Sequence, residues 1–161
     1  MNEIKIIFPG IARVKKNSMT VSYIYKDKFG SLKIRMDSKG RFTPVTYYSK
    51  AYVEWAKKAI QSVIVFKSKQ KLTFPLTDKY NLKCIFYTNE NRVIDLSALY
   101  EGVQDVLTGR SGVLKDSVPG HLYQILEDDS VRFIGSHDGS RLLYLPAEPP
   151  RTEITITDFK Y

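Results

Sequence analysis

Charged and apolar residues alternate from Glu3 to Phe8, the period of a half-buried strand, and Pro9-Gly10 ends it. Val21 to Tyr25 and Leu32 to Met36 are further β-forming runs around Lys28-Phe29-Gly30, a hairpin or two short strands. A turn at Ser38-Lys39-Gly40, then Arg41-Phe42-Thr43-Pro44, leads to Ser49. The Ser49 hydroxyl can accept from the unpaired amides of a first helical turn, so it is the expected N-cap. Beyond it Tyr52, Trp55, Ala56, Ala59, Ile60 and Val63 recur at helical spacing, a core-facing stripe, while Glu54, Lys57 and Lys58 fall largely opposite.

Lys67 to Lys71 reads as a basic connector, and Pro75 excludes a central strand there. Tyr80 to Thr88 is a nearly continuous β-forming run, expected as a buried central strand. The turn Asn89-Glu90-Asn91 delivers the chain to Asp95, after which Leu96, Leu99, Tyr100, Val103, Val106 and Leu107 form the apolar face of a second helix. Residues 108 to 124 carry glycines and a proline and read as a long loop, a kind of segment that is often functional. Val131 to Ile134 and Arg141 to Leu145 flank Asp138-Gly139, a hairpin signal. Thr152 to Thr157 alternates and predicts a last strand. With no repeat, low-complexity tract or linker, residues 1–161 are expected to form a single domain. Its class is α+β: a mixed or antiparallel sheet with two main helices packed on it.

Charge changes this picture more than composition does. The 161 residues include 25 Lys and Arg against 17 Asp and Glu, a formal net charge of +8 that favours a nucleic-acid partner. One cysteine, Cys84, excludes an internal disulfide and a cysteine-rich zinc site; its apolar neighbours make it a core filler. His121 and His137 lack zinc-motif spacing, and His137, beside a turn, reads as a surface residue rather than a general base. There is no P-loop, G-x-S-x-G or G-x-G-x-x-G. No apolar run approaches a membrane span, and MNEIKIIFPG lacks a signal-peptide pattern, so a soluble cytoplasmic protein with no membrane partner is expected.

Against this basic background stand Asp95, Asp105 and the pair Asp128-Asp129. A hard divalent cation, which takes carboxylate oxygens and water, is a reason to keep acids together on such a chain. Taken alone, each has a plainer reading: Asp95 is placed to cap the second helix, and Asp128 and Asp129 suit a turn. Glu101 and Asp105 lie four apart on one helix face and repel, with no Lys or Arg between Asp95 and Thr108 to offset them. That asks for a cation or basic partner nearby, or a solvated face. Metal-held carboxylates would suit phosphodiester hydrolysis, where the ion activates water and stabilises developing charge.

The ordered set Lys15-Lys16-Asn17, Phe42-Thr43-Pro44 with Ser49-Lys50-Ala51-Tyr52, the block from Asp95-Leu96 through Glu101 to Asp105-Val106-Leu107, and Glu127-Asp128-Asp129-Ser130-Val131 resembles the RusA family of Holliday-junction resolvases, in a phage or prophage variant. The resemblance runs from about residue 4 to the C-terminus. It implies a RusA-like fold, a homodimer, and a crossover junction endodeoxyribonuclease that cuts four-way DNA junctions in recombination and repair with Mg²⁺, or Mn²⁺ in its place. By position it gives Asp95 and one of Asp128 and Asp129 as metal-binding, catalytic acids, with Asp105 as a supporting acid. The family's second aspartate is Ser97 here, and its helix lysine is Glu101, which could complete the metal and catalytic set.

DNA contacts are expected from Arg13, Lys15, Lys16 and Asn17 in the first loop, and from Lys39, Arg41, Tyr47 and Lys50 before or at the first helix, whose N-terminus also favours anions. Taken singly, each of these cations could be a solvated surface residue. Two other functions fit the sequence: a RusA-like protein that binds DNA but has lost cleavage, suggested by Ser97 and Glu101, and a structural or regulatory protein whose acids cap and solvate its elements.

Overall fold

Alternation at the start of the chain becomes strand β1 (Ile4–Pro9), with Ile4, Ile6 and Phe8 buried and the residues between them outward. The computed structural model describes residues 3–13, 19–91, 95–114 and 117–160. Next come β2 (Met19–Ser22), β3 (Ile24–Lys26), β4 (Leu32–Ile34) and β5 (Val45–Tyr48). β3 and β4 close the expected hairpin, Lys26 opposite Leu32. Asp27 fixes its turn by accepting from the amides of Phe29 and Ser31 at 2.9 and 3.0 Å. β5 was not expected; it pairs antiparallel with β2, Met19 opposite Tyr48, and leads into the first helix.

That helix, α1 (Lys50–Lys69), begins as its sequence requires: Ser49 Oγ accepts from the Tyr52 amide at 3.1 Å. All six stripe residues are buried. Burying each of the large ones is worth roughly 1.5–3 kcal/mol, so packing rather than propensity holds the helix. The connector expected at Lys67 to Lys71 is corrected: α1 runs through Lys69, since no Gly or Pro interrupts it. Lys67 then turns inward, and its ammonium donates to the carbonyls of His121 and Gln124 at 3.3 and 2.9 Å.

β6 (Tyr80–Thr88) is the central strand, with Tyr80, Leu82, Cys84, Phe86 and Thr88 buried. α2 (Leu96–Leu107) buries Leu99, Val103, Val106 and Leu107. A short α3 (Gly120–Tyr123) precedes β7 (Ile134–Ser136), β8 (Arg141–Tyr144) and β9 (Arg151–Asp158). The main sheet has five strands: β1 pairs antiparallel with β9, β9 antiparallel with β6, and β6 parallel with both β7 and β8. Inward residues of β1, β6 and β9 share one core with α1 and α2. The mixed sheet with two long helices is therefore of the expected α+β class.

The hairpin expected around Asp138-Gly139 does not form. β7 and β8 follow one another along the same edge of β6, β7 beside Tyr80 and Asn81, β8 beside Ile85 to Thr88. Gly139 does sit in a turn, at φ 79°, but the turn bulges out instead of reversing the chain. Side chains fill the gap it leaves. Ser140 Oγ accepts from the Cys84 amide at 2.9 Å, and Asn81 Oδ1 accepts from the Asp138 amide at 2.8 Å and from Ser136 Oγ at 2.7 Å. Val131, expected in the first arm, is an exposed turn residue.

The long loop expected at 108–124 is corrected in its described part, which is anchored throughout. Ser111 is buried, its Oγ 3.0 Å from the Tyr123 hydroxyl, which also donates to Gly109 O at 3.2 Å. Tyr52 of α1 donates to Ser111 O at 3.4 Å. Gly109 and Gly120 pack backbone to backbone, where a Cβ on Gly120 would strike the Gly109 carbonyl.

Candidate functional site

α2 organises the expected acids by its length. Asp95 is its N-cap: Oδ1 accepts from the Ser97 amide at 3.0 Å and the Ser97 hydroxyl at 2.8 Å. The Ser97 contacts hold the Asp95 carboxyl below its ordinary range. Ser97, standing where the resemblance expects an acid, is thus the donor that satisfies Asp95. Asp105 lies ten residues further on, about 15 Å along the helix axis at 1.5 Å per residue. Glu101 sits one turn before Asp105, half-buried like it.

Just past α2, Arg110 gathers the other acids. Its Nη2 donates to Asp128 Oδ2 at 3.0 Å, and its Nη1 to Asp128 Oδ1 at 3.3 Å and Asp129 Oδ1 at 3.1 Å. The Arg110 amide donates to Asp105 O at 2.8 Å, and the Asp105 charge is close enough to add to the upward pull on the Arg110 guanidinium. Asp105 also acts on Tyr52, whose phenol is pushed up first by burial and then by that carboxylate. Asp105, Asp128 and Asp129 therefore lie around one guanidinium. The cation that the Glu101–Asp105 repulsion asks for is, on the Asp105 side, Arg110.

Asp128 and Asp129 behave as a pair. Contact with the Asp129 side chain, then the Arg110 fork, holds the Asp128 carboxyl down to about 2. The same contact raises Asp129. Asp128 also builds its own turn, Oδ1 accepting from the amides of Asp129 and Ser130 at 2.6 and 3.1 Å. The oxygens at this cluster are hard donors of the kind magnesium takes. Among the described residues, however, no group of three or more His, Cys, Asp or Glu converges closely enough to hold an ion. Asp95 lies at the opposite end of α2 from the pair.

The expected DNA-contacting residues fall in three places. Lys15, Lys16 and Asn17 lie outside the described residues. Arg13, just before them, is pinned onto α2: its carbonyl lies so close to Gly102 that a Cβ there would collide with it. Its guanidinium is 3.7 Å from Glu90. Lys39 and Arg41 flank a turn closed by Asp37, which takes the amides of both at 2.8 and 3.0 Å and pairs with the Arg41 side chain at 2.8 Å. Arg41 thus has an internal counter-charge. Lys50 opens α1, exposed, 3.8 Å from Glu54.

Three residues escaped sequence reading. Arg110 is 18 and 19 positions from its partners, so only the fold pairs them. Gly102 is one small residue in an otherwise large-residue helix face, the only signal of the loop that crosses it. His137 is half-buried rather than on the surface. Its Nδ1 is 3.0 Å from Leu82 O, its Nε2 3.3 Å from Gln104 Nε2, and its ring lies 4.4 Å from that of Tyr100. Since Leu82 O can only accept, Nδ1 carries the hydrogen and Nε2 faces the Gln104 amide as an acceptor. Among the described residues, no helix is long and apolar enough to cross a membrane. Compared with models of protein families and with curated proteins, the chain matches none.

Proposed function

We propose that the protein acts on branched DNA as a RusA-like, Mg²⁺-dependent endodeoxyribonuclease that resolves four-way junctions in recombination and repair. The observation that carries this reading is the cluster of Asp105, Asp128 and Asp129 around Arg110 at the end of α2, on a chain of net charge +8. Excess positive charge brings a polyanion to the surface, and the acids form the one carboxylate concentration that such a surface would otherwise avoid. Asp128 and Asp129, with Asp105 and then Glu101 on the same helix face, would hold the ion. When bound, it would supply an activated water and charge stabilisation at phosphorus. Arg110 keeps the two aspartates converged, and its fork is also suited to a phosphate oxygen once a competing cation takes the carboxylates. The Asp95–Ser97 cap orients the start of the same helix. A homodimer would present two such sites to the two symmetric strands of a junction.

A second reading rests on the same Arg110 fork. If the guanidinium satisfies Asp128 and Asp129 permanently, the protein binds junctions without cutting them. Incubating a labelled synthetic four-way junction with the protein and Mg²⁺ or Mn²⁺ separates the two. Paired nicks that Asp128→Asn abolishes are the expected result. Salt-sensitive binding without metal and without nicks selects the second reading. Neither binding nor nicking rejects both.

A further inference from the structure

Trp55 carries an unmet demand. Its side chain is buried at 4% exposure, yet its indole Nε1–H has no hydrogen-bond partner among the described residues. Buried donors are nearly always paired, so an orphan marks a place where a group from outside belongs. Trp55 forms part of the wall of a cavity of about 170 Å³ between the turn after β1, the Arg13 loop and one face of α1. At about 30 Å³ per water, that is room for roughly five waters, or for one tetrahedral anion and its nearest shell.

The walls select the ligand. Gly10, at φ 84°, stands over the indole edge: a Cβ there would lie 3.8 Å from Cδ1, the atom bonded to Nε1. Glycine leaves that edge approachable from the cavity. Arg13 and Lys58 bring two positive charges to the rim. Glu54 is the one carboxylate there, and Lys50 stands 3.8 Å from it. Ala51 belongs to the first turn of α1, whose leading amides lack helical acceptors and add partial positive charge. A hydrogen-bond donor, two cations and a helix start all ask for an anionic oxygen.

We infer that this cavity is a phosphate-binding subsite, in which the Trp55 Nε1–H donates to a phosphate oxygen flanked by Arg13 and Lys58. The phosphate may belong to a nucleic-acid backbone or be free in solution; in the first case the subsite rests on the function proposed above. It lies on the far side of the Gly102 crossing from the acids, and would grip the backbone at a point separate from the cluster at Arg110.

Trp55 is the only tryptophan, so a ¹⁵N-labelled sample gives one indole resonance that reports on this donor alone. Inorganic phosphate and a four-way junction are titrated separately, with chloride at matched ionic strength as control. The expected result is a saturable downfield shift of the indole Nε1–H with phosphate and not with chloride. Arg13→Gln combined with Lys58→Gln should weaken that binding at least tenfold. Glu54→Gln, which removes the opposing carboxylate and leaves the core untouched, should strengthen it severalfold. A response identical with chloride, or a Glu54→Gln protein that binds phosphate no better than wild type, overturns the subsite. Junction binding is read independently by fluorescence anisotropy. Binding with a stationary indole overturns the subsite and leaves the DNA function standing. An indole that answers phosphate beside a junction that never binds supports the subsite, with free phosphate as its ligand, and removes the DNA function.

Discussion

Arg110 grips Asp128 through both of its terminal nitrogens, Nη2 to Oδ2 at 3.0 Å and Nη1 to Oδ1 at 3.3 Å, fork to carboxylate. Such pairing fixes direction as well as distance. It also makes the guanidinium a direct competitor of any divalent ion for the same oxygens.

Arg110→Gln should therefore increase the response to metal. The pair is half-exposed, so its loss should cost no more than about 1 kcal/mol of stability. Meanwhile the rise in melting temperature on adding Mg²⁺ or Mn²⁺ should become larger than in wild type. Scanning fluorimetry with and without metal checks this. An unchanged metal response means that the aspartates are not an ion site that Arg110 occupies.

Acid titration should resolve the two aspartates. Asp128, held low by Asp129 and Arg110, contributes stability at neutral pH that is lost as pH falls from the ordinary carboxylate range through about 2. Asp129, raised by Asp128, acts with the opposite sign, taking up its proton earlier in the folded state and gaining stability as it does. Carboxyl ¹³C chemical shifts should show two separated steps that belong to the pair. In Asp129→Ala the Asp128 step should climb towards the ordinary range, and a step that stays near its wild-type position would contradict the coupling.

Asp95 separates cap from ligand by substitution. Asp95→Ala should cost about 1 kcal/mol through the lost N-cap. Asp95→Ser, which caps almost as well, should restore stability. If Asp95 is only a cap, the serine variant keeps full junction cleavage. If it binds metal, cleavage falls at least a hundredfold while the melting temperature holds. Chemical denaturation and a cleavage assay on the same preparations give the answer.

Gly102→Ala puts a methyl group onto the Arg13 carbonyl. Backbone cannot yield as a side-chain tip does, so a loss of about 1–3 kcal/mol is expected. Junction affinity should drop as well, because the loop that carries Arg13 must lift from α2. Wild-type stability in urea would show that the loop is not packed there.

Much of the fold was legible because it rests on local periodicity. The α1 stripe, the Ser49 and Asp95 caps, the alternation of β1 and β9 and the apolar run of β6 all depend on residues within a few positions of each other. The β7–β8 segment was misread because Asp138-Gly139 specifies a turn but not which strands then pair. The partners that decide it, Asn81 and Ser140 with Cys84, are more than fifty residues apart. The same holds at the acids. Asp128 and Asp129 stand out by type, but their counter-charge is set by where the segment after α2 returns. Lys67 was misread for a related reason: basic residues look like solvated surface until the fold brings carbonyl oxygens to them.

One pairing also sets the order of assembly. β9 is the only strand between β1 and β6, so the first strand of the chain waits for its neighbour until residues 151–158 exist. A chain growing from its N-terminus cannot close this sheet early; α1 and β6 must hold their apolar faces without β9 until nearly the whole protein has been made. A product ending before Arg151 would lack the strip that joins its two halves, so truncation near the C-terminus would undo the β1–β6 connection rather than trim an edge.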